Sequence, residues 1–189
     1  MIATSRYDGA SVIRYEYRLK ALNSEMESLA DSDQLTGLAN RRFIYRKLNE
    51  LVCDAAANNQ SFTIGMADID NFKEYNDTYG HLFGDEILKM IGQCSTDALR
   101  KCDIVGRWGG KAFLYILPAT PLENGKLIMQ RVKDRVSAAA VVYNGTPVHV
   151  TITIGCAEYT DDISLTELLH TADIQLYRGK RSGKNIVCA

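Results

Sequence analysis

A chain of 189 residues with 46% hydrophobic and 24% charged residues is long enough for one α/β domain with a full core and a short appendage. Its formal net charge of −1 argues against a nucleic-acid or membrane-binding surface, because binding a polyanion usually needs a large basic excess. Five scattered cysteines, three isolated histidines, and the lack of a signal peptide or a long apolar run predict a soluble, reduced, cytoplasmic protein without a zinc site.

The first thirty residues carry apolar side chains at alternating spacings of three and four. They are Val12, Tyr15, Leu19, Leu22, Met26 and Leu29. This heptad pattern predicts a signalling helix over residues 1–30 that pairs in a coiled coil and makes the protein a homodimer. The shortness of the pattern leaves a second interpretation open, which is a single amphipathic helix lying on its own domain. We expect residues 31–189 to form one domain.

The next segment alternates between helix and strand signals. Asn40 is predicted to cap a helix that runs from Arg41 to the AAANNQ segment. The FTIGMADID segment predicts a buried strand from Phe62 to Ala67. We then expect a polar loop over residues 71–84, followed by a helix over DEILKMIGQCSTDAL.

Two apolar runs between Ile104 and Leu117 flank a Gly-Gly pair and predict a β-hairpin. After the hairpin, Thr120 and Glu123 have the spacing of a capping box, with Pro121 at the first helical position. A helix is therefore expected to begin there and to end near residue 140.

The last third of the chain predicts a strand, a helix and an edge strand. The alternating, β-branched segment VHVTITIGCAEY favours one continuous strand. Ser164 and Glu167 form a second capping box for a helix that ends near Arg178, and NIVCA favours the edge strand. Together these elements predict an α/β sandwich, in which helices pack against one sheet.

Acidic residues follow the first buried strand, at Asp68 and Asp70. Open α/β sheets tend to bind ligands at such strand ends. Two carboxylates with the Ile69 carbonyl between them suit Mg²⁺, which commonly uses one or two carboxylates plus substrate phosphates. The alternative is a pair of solvated acids at the end of a strand.

Four separated segments stand out, namely SDQLTGLANRR (32–42), DIDNFKEYNDTYGHLFGDEIL (68–88), RWGGKAF (107–113) and ADIQLYRGKRSGKN (172–185). Together they resemble the GGDEF family of diguanylate cyclase domains. The match covers about residues 31–188 in one order. The resemblance implies an α/β (α+β) fold with a palm-like, mostly antiparallel central sheet flanked by helices. Active members of the family condense two GTP molecules into cyclic di-GMP, with one GTP held by each domain of a dimer.

The resemblance also implies which residues form the site. The metal ligands would be Asp68 and the Ile69 carbonyl. Guanine would be read by Asn76 and Asp85, since a carboxylate accepts well from the N1 and N2 donors of that base. The remaining nucleotide-binding positions surround the phosphates and are Phe72, Lys73, Gly109, Gly110, Lys180 and Lys184.

The chain departs from the family at the signature itself. The signature positions are Gly109, Gly110, Lys111, Ala112 and Phe113, so a lysine and an alanine replace the two acids. At about 4 Å and an effective dielectric near 20, one misplaced unit charge is worth roughly 4 kcal/mol. We therefore expect no intact catalytic site, weakened Mg²⁺ binding and a rate loss of about three decades or more.

Lys111 allows two interpretations. Its ammonium would take the place of the metal and lend charge to a bound GTP, or it would simply point to solvent from the hairpin. The first interpretation is motivated by the guanine-binding and phosphate-binding residues implied by the resemblance, which this chain retains.

A second motif, Arg100-x-x-Asp103, lies six positions before Gly109. The resemblance implies that it is the family's inhibitory site for cyclic di-GMP, with Arg131 as a further arginine for that ligand. The planar arginine fork pairs with guanine O6 and N7 or with phosphate, and a carboxylate accepts the guanine donors. Without this spacing from Gly109, the same R-x-x-D pattern would be typical of an ordinary surface ion pair.

These observations predict a catalytically degenerate GGDEF signalling domain. It would bind cyclic di-GMP, GTP or both, and would relay the bound state through dimer or partner contacts, without nucleic-acid or direct membrane contact. Two alternatives stay open: an active or weakly active diguanylate cyclase, and a dimerisation module that binds nothing.

Overall fold

A computed structural model of the chain describes residues 14, 18, 31–58 and 60–189, excluding the side chains of 56–58. The predicted N-terminal heptad pattern from Val12 to Leu29 lies outside the described residues, except for the two isolated positions within its span. Residues Asp33–Ala189 form one compact unit. Among the described residues, no helix combines the length and the apolarity that crossing a membrane requires.

Five helices and eight strands occur in the described part of the chain. The helices are α1 (Arg41–Asn58), α2 (Phe72–Tyr79), α3 (His81–Ala98), α4 (Leu122–Ala138) and α5 (Leu165–Arg181). The strands are β1 (Ala39–Asn40), β2 (Phe62–Ile69), β3 (Ile104–Gly109), β4 (Ala112–Leu117), β5 (Ala140–Tyr143), β6 (Thr146–His149), β7 (Ile152–Tyr159) and β8 (Val187–Cys188).

Six strands form the central sheet in the order β1-β3-β4-β2-β7-β8. The four inner strands pair antiparallel, and only the two short edge strands β1 and β8 pair parallel to their neighbours. The remaining strands, β5 and β6, form a separate hairpin. The prediction of a mostly antiparallel central sheet flanked by helices is confirmed.

Helices cover both faces of the sheet, because its central strands are apolar on both sides. Along β4, Phe113 and Tyr115 face α3 and α4, while Leu114 and Ile116 face α1 and α5. All four side chains are fully buried. Strands buried on both faces read as continuous apolar runs, and AFLYIL is such a run.

The approach of α5 to the sheet depends on a glycine in β7. A Cβ atom added to Gly155 would lie 2.1 Å from the backbone nitrogen of Leu176 and 2.2 Å from the carbonyl oxygen of Ala172. The helix backbone therefore rests directly on the strand at this point. This contact places the C-terminal turn of α5, with Lys180, beside the end of β2.

Two of the predicted helix caps are confirmed. The side chain of Asn40 accepts a hydrogen bond from the backbone nitrogen of Phe43 at 3.0 Å, as an N-cap residue does. Ser164 and Glu167 form a reciprocal capping box at the start of α5.

The predicted polar loop over 71–84 is wrong, because this segment forms α2 and the first turn of α3. Phe72, Tyr75, Tyr79 and Phe83 recur at helical spacing and pack against the core. The polar residues between them occupy the exposed side. The loop prediction gave too much weight to those polar residues.

The predicted capping box of Thr120 and Glu123 is also wrong. Helix α4 begins at Leu122 with Pro121 as its N-cap, and the Leu122 backbone nitrogen donates to the Glu158 carboxylate at 3.1 Å. The Thr120 hydroxyl instead donates to the carbonyl of Pro118 at 2.8 Å and accepts from Arg100 at 2.8 Å. These tertiary contacts replace the local cap.

The predicted strand over VHVTITIGCAEY divides into β6 and β7. Between them, the carbonyl of Thr151 accepts a hydrogen bond from the backbone nitrogen of Asp70 at 2.9 Å. Three other bounds differ from expectation: α4 ends at Ala138, β2 continues to Ile69, and α5 continues to Arg181.

Candidate nucleotide site at the end of strand β2

Asp68 lies near the end of β2, with only 17% of its side chain exposed. The ammonium of Lys180, from α5, lies 2.6 Å from its Oδ1. The same Lys180 Nζ donates to the Asp68 carbonyl at 2.9 Å and to Asp70 Oδ1 at 2.7 Å. The three oxygens match the three donors of a lysine ammonium, so Lys180 is held firmly between the two acids.

Asp70 turns inward instead of sharing the exposed strand end with Asp68, and it is 3% exposed. Besides Lys180, its carboxylate accepts from the hydroxyls of Thr151 and Thr153, both at 2.7 Å, and from the backbone nitrogen of Asn185 at 3.0 Å. Burial raises the pKa of Asp70, but these hydrogen bonds and the charge of Lys180 outweigh burial and lower the pKa below its ordinary value.

Because all its bonds are internal, Asp70 is a structural anchor, and the interpretation of Asp68 and Asp70 as an exposed carboxylate pair is wrong. It joins the end of β2 to β7 and to the loop after α5. The sequence signal that we missed is the pair Thr151 and Thr153, two hydroxyls on one side of a β-branched strand.

The Gly-Gly hairpin brings Lys111 to the same acid. Gly109 and Gly110 have φ angles of 156° and 49°, conformations that favour glycine. The turn is fixed by Arg107, whose Nε donates to the Gly110 carbonyl at 2.9 Å and whose Nη1 lies 3.2 Å from Asp33 Oδ2.

From this turn the Lys111 ammonium reaches back to within 3.3 Å of Asp68 Oδ1, with 46% of the side chain exposed. Lys111 therefore does not simply point to solvent. Ala112 pairs directly with Asp68 in the β2–β4 register, so a methyl group stands opposite that carboxylate. A cavity of about 380 Å³ opens beside the two residues and extends under Trp108 and Asp173.

A second part of the site lies between α2 and α3. Among residues 31–55 and 60–189, Asn76 Oδ1 is the one fully buried side-chain nitrogen or oxygen that has no hydrogen-bond partner. It lies over Gly84, where an added Cβ would stand 2.0 Å away. Asp85 follows immediately on α3 and is partly exposed. Asn76 thus packs against Gly84, the residue that directly precedes Asp85.

The loops that face the expected phosphates have unusual backbone conformations. Asn71 has a φ of 55°, and Lys184 and Asn185 have φ values of 65° and 48°. Non-glycine residues in this region are uncommon and cluster at ligand-binding sites. The Lys184 ammonium donates to the Asn71 side chain, which joins the two loops. Lys73 is exposed on the first turn of α2, beside the partly buried Phe72.

The Arg100 motif lies at the other end of β3. Arg100 Nη2 is 2.7 Å from Asp103 Oδ1, and the Arg100 side chain is 47% exposed while that of Asp103 is fully buried. Hydrogen bonding to Asp103 raises the pKa of Arg100. Arg131, on α4, donates to the Ala98 carbonyl two residues before Arg100, so the three predicted residues lie together. Since the Asp103 carboxylate is covered, it holds Arg100 in place and is not presented to solvent.

The predicted residues thus form two groups. One surrounds Asp68 and includes Lys111 and Lys180. The loop of Lys184 is bonded to Asn71 just after β2, and Asn76 and Asp85 lie on the two helices that follow. The other is the Arg100 group. Gly109 lies six positions after Asp103 at the far end of β3, which corresponds to about 20 Å of extended chain.

The family model for the diguanylate cyclase GGDEF domain matches residues 30–186. The chain belongs to the GGDEF domain family. It is 38% identical over 170 residues to the diguanylate cyclase DgcM of Escherichia coli K12, an alignment that covers 90% of this chain and 41% of DgcM. The chain thus spans about two fifths of that relative.

Solved structures show the same fold. The coiled coil and GGDEF domain of DgcB from Caulobacter crescentus, in complex with c-di-GMP, superimposes with a TM-score of 0.88 at 27% identity, over 95% of this chain and 96% of that one. The diguanylate cyclase SiaD of Pseudomonas aeruginosa, in complex with its activator SiaC, gives a TM-score of 0.86 at 34% identity, over 95% of this chain and 69% of that one.

Proposed function

We propose that this chain is a catalytically degenerate GGDEF signalling domain that binds guanine nucleotides without condensing them. It binds cyclic di-GMP at Arg100 and GTP at the former active site. It relays the bound state through dimer or partner contacts. The observation that carries the proposal is the ion pair between Lys111 and Asp68, with Ala112 opposite that acid.

The side chains around Asp68 do not fit a divalent metal ion. Mg²⁺ prefers carboxylate and water oxygens in near-octahedral geometry at about 2.0–2.1 Å. Here two ammonium groups lie 2.6 and 3.3 Å from Asp68 Oδ1, so that oxygen of the carboxylate is already occupied by cations. No group of three or more His, Cys, Asp or Glu side chains suited to a metal occurs within the described residues. Diguanylate cyclases of this family normally use Mg²⁺, so weakened metal binding supports a loss of catalysis.

The proposed guanine pocket, which consists of Asn76 and Asp85, supports retained nucleotide binding. A buried amide oxygen without a partner is costly, and native proteins seldom keep one without a reason. Asn76 Oδ1 is such an atom, and Gly84 leaves it room. A guanine amino group is a suitable donor for Asn76, and Asp85 accepts from N1 and N2 of the same base edge.

The Arg100 group supports binding of cyclic di-GMP. DgcB, with the same fold, was crystallised in complex with this dinucleotide. Arg100 is half exposed and held at its Nε and Nη2 by a buried carboxylate, so its planar fork is oriented before any ligand arrives. Arg100 therefore makes the ligand contact, while Asp103 orients Arg100.

Homodimer or partner contacts are the proposed route of relay. DgcB was solved with a coiled coil attached to its GGDEF domain, and SiaD was solved with the activator SiaC. The heptad pattern of residues 1–30 in this chain predicts a coiled coil of that kind.

A second candidate function is an active or weakly active diguanylate cyclase. The names of similar proteins favour it, since DgcM is called a diguanylate cyclase. Incubation of the protein with GTP and Mg²⁺ or Mn²⁺, followed by chromatography, separates the two candidates. We expect no cyclic di-GMP, and sustained product formation would replace the proposal by this second candidate.

Calorimetric titration with cyclic di-GMP tests the binding proposal. We expect Arg100→Ala to weaken binding by about tenfold or more, since a hydrogen bond to a charged group contributes about 1.5–3 kcal/mol. Arg100→Lys keeps the charge but loses the fork, so it should also weaken binding. Arg178→Ala, an exposed arginine on α5, is the matched control. Equal affinity of the wild-type and Arg100→Ala proteins would refute the proposal.

A further inference from the structure

We infer that the Lys111 ammonium does the work of a metal ion, so that this site binds a guanosine triphosphate without any divalent cation. The inference rests on the proposed binding of GTP at the former active site. It goes further by stating what neutralises the phosphates.

The charges around Asp68 already balance without an added ion. Two carboxylates, Asp68 and Asp70, face two ammonium groups, Lys111 and Lys180, and each contact is 3.3 Å or shorter. A divalent cation placed here would add two positive charges to a balanced cluster. It would also have to displace both lysines from Asp68 Oδ1.

The two lysines differ in how freely their charge can turn to a ligand. Lys180 uses all three donors on protein oxygens, and only 21% of its side chain is exposed. Lys111 makes one longer contact with Asp68, and 46% of its side chain is exposed. The longer contact exchanges more readily for a phosphate oxygen, because it gives up less Coulomb energy and less burial.

Lys111 also stands where a phosphate would meet it. It is the second residue of the hairpin turn, and the turn is held rigid by Arg107. Exposed Lys73 lies on the first turn of α2, which follows β2, the strand that carries Asp68. Exposed Lys184, which is bonded to Asn71, lies on the loop after α5, the helix that carries Lys180. Three exposed lysines, Lys73, Lys111 and Lys184, therefore lie on the segments next to Asp68 and Lys180 and can neutralise a polyanion without an ion between them.

The inference is tested by titrating the protein with GTP in the presence of EDTA and, separately, in excess Mg²⁺. We expect the two affinities to agree within about twofold. Lys111→Ala should weaken binding in EDTA by about tenfold or more, and Lys111→Arg, which keeps the charge, should restore most of the loss. Lys101→Ala, an exposed lysine near the other end of β3, should change nothing.

A metal-only measurement complements the titration. Mn²⁺ followed by electron paramagnetic resonance should show no tightly bound ion on the wild-type protein without nucleotide. The double variant Lys111→Asp, Ala112→Glu restores two acids beside Asp68. It should gain a bound Mn²⁺ and a GTP affinity that depends on Mg²⁺.

Each outcome bears on a different statement. GTP binding that requires Mg²⁺, or a tight Mn²⁺ site on the wild-type protein, would overturn the inference and leave the proposed binding of GTP intact. No GTP binding in either buffer would overturn both. The cyclic di-GMP titration with Arg100→Ala is independent of these results, because Arg100 lies at the other end of β3.

Discussion

Asp70 offers the sharpest test of how the site is built. Each of its carboxylate oxygens accepts from two donors: Oδ1 from Thr153 and Lys180, and Oδ2 from Thr151 and the backbone nitrogen of Asn185. In Asp70→Asn one oxygen becomes an amino group. Whichever way the amide is turned, two of the four donors then face another donor.

We expect this change to lower the free energy of unfolding at pH 7 by about 4 kcal/mol, because breaking a buried charge pair costs about 3–5 kcal/mol. For a domain of this size the midpoint of thermal unfolding should fall by roughly 8–16 °C. Urea unfolding measures the energy. Asp161→Asn, an exposed acid after β7, should stay within about 0.5 kcal/mol of the wild type.

The pH dependence gives a second check. The pKa of Asp70 is lower in the folded protein than in the unfolded chain. The ionised carboxylate therefore adds its full contribution to the free energy of unfolding above the ordinary carboxyl pKa of about 3.9. The contribution is lost as the pH falls through the lower folded value. The difference between the wild-type and Asp70→Asn proteins should therefore be constant from pH 7 to about 5 and shrink below about pH 4. A difference at pH 7 under about 1 kcal/mol, or one that does not shrink in acid, would refute this role.

Three other substitutions test separate contacts. Gly84→Ala places a Cβ against Asn76 Oδ1, so we expect about tenfold weaker GTP binding by calorimetry, with stability changed by less than about 1 kcal/mol. Tyr115→Phe leaves the buried Ser95 hydroxyl without its 2.8 Å partner, and urea unfolding should show a loss of about 1–2 kcal/mol. Arg107→Ala frees the hairpin turn, so backbone amides of the turn should exchange with deuterium about tenfold faster.

A control for each substitution distinguishes an effect of the tested contact from a general effect on the fold. Gly145→Ala alters an exposed turn far from Asn76 in sequence and should leave GTP affinity unchanged. Adding Ser95→Ala to Tyr115→Phe should recover part of the lost stability, because it removes the unpaired hydroxyl. Unchanged exchange at the turn in Arg107→Ala would mean that the glycines alone determine its conformation.

The proposed function depends on two residues of the signature. Lys111 and Ala112 stand where the family has two acids, and the Lys111 ammonium lies beside Asp68. In the proposal, the missing acids account for the loss of phosphoryl transfer and the lysine accounts for the retained binding of phosphate. The proposed domain would therefore sense nucleotide instead of producing it.

The sequence by itself determined the parts of the fold that depend on local order. Turn-forming and capping residues predict the hairpin around Gly110 and the helix caps at Asn40 and Ser164. Apolar runs predict the buried strands. Both signals act between residues that are near in sequence. The loss of both signature acids was likewise visible at Lys111 and Ala112 without coordinates.

Only the tertiary structure decided what the charged residues do. Lys111 and Lys180 meet Asp68 across 43 and 112 positions, a separation that periodicity cannot describe. The inward turn of Asp70 and the covered carboxylate of Asp103 depend on how strands and helices pack around them. The physical reason is that the sequence gives the polarity of each side chain, whereas the packing of distant elements determines which partner that side chain meets. For Lys180, the deciding contact is that of α5 with Gly155.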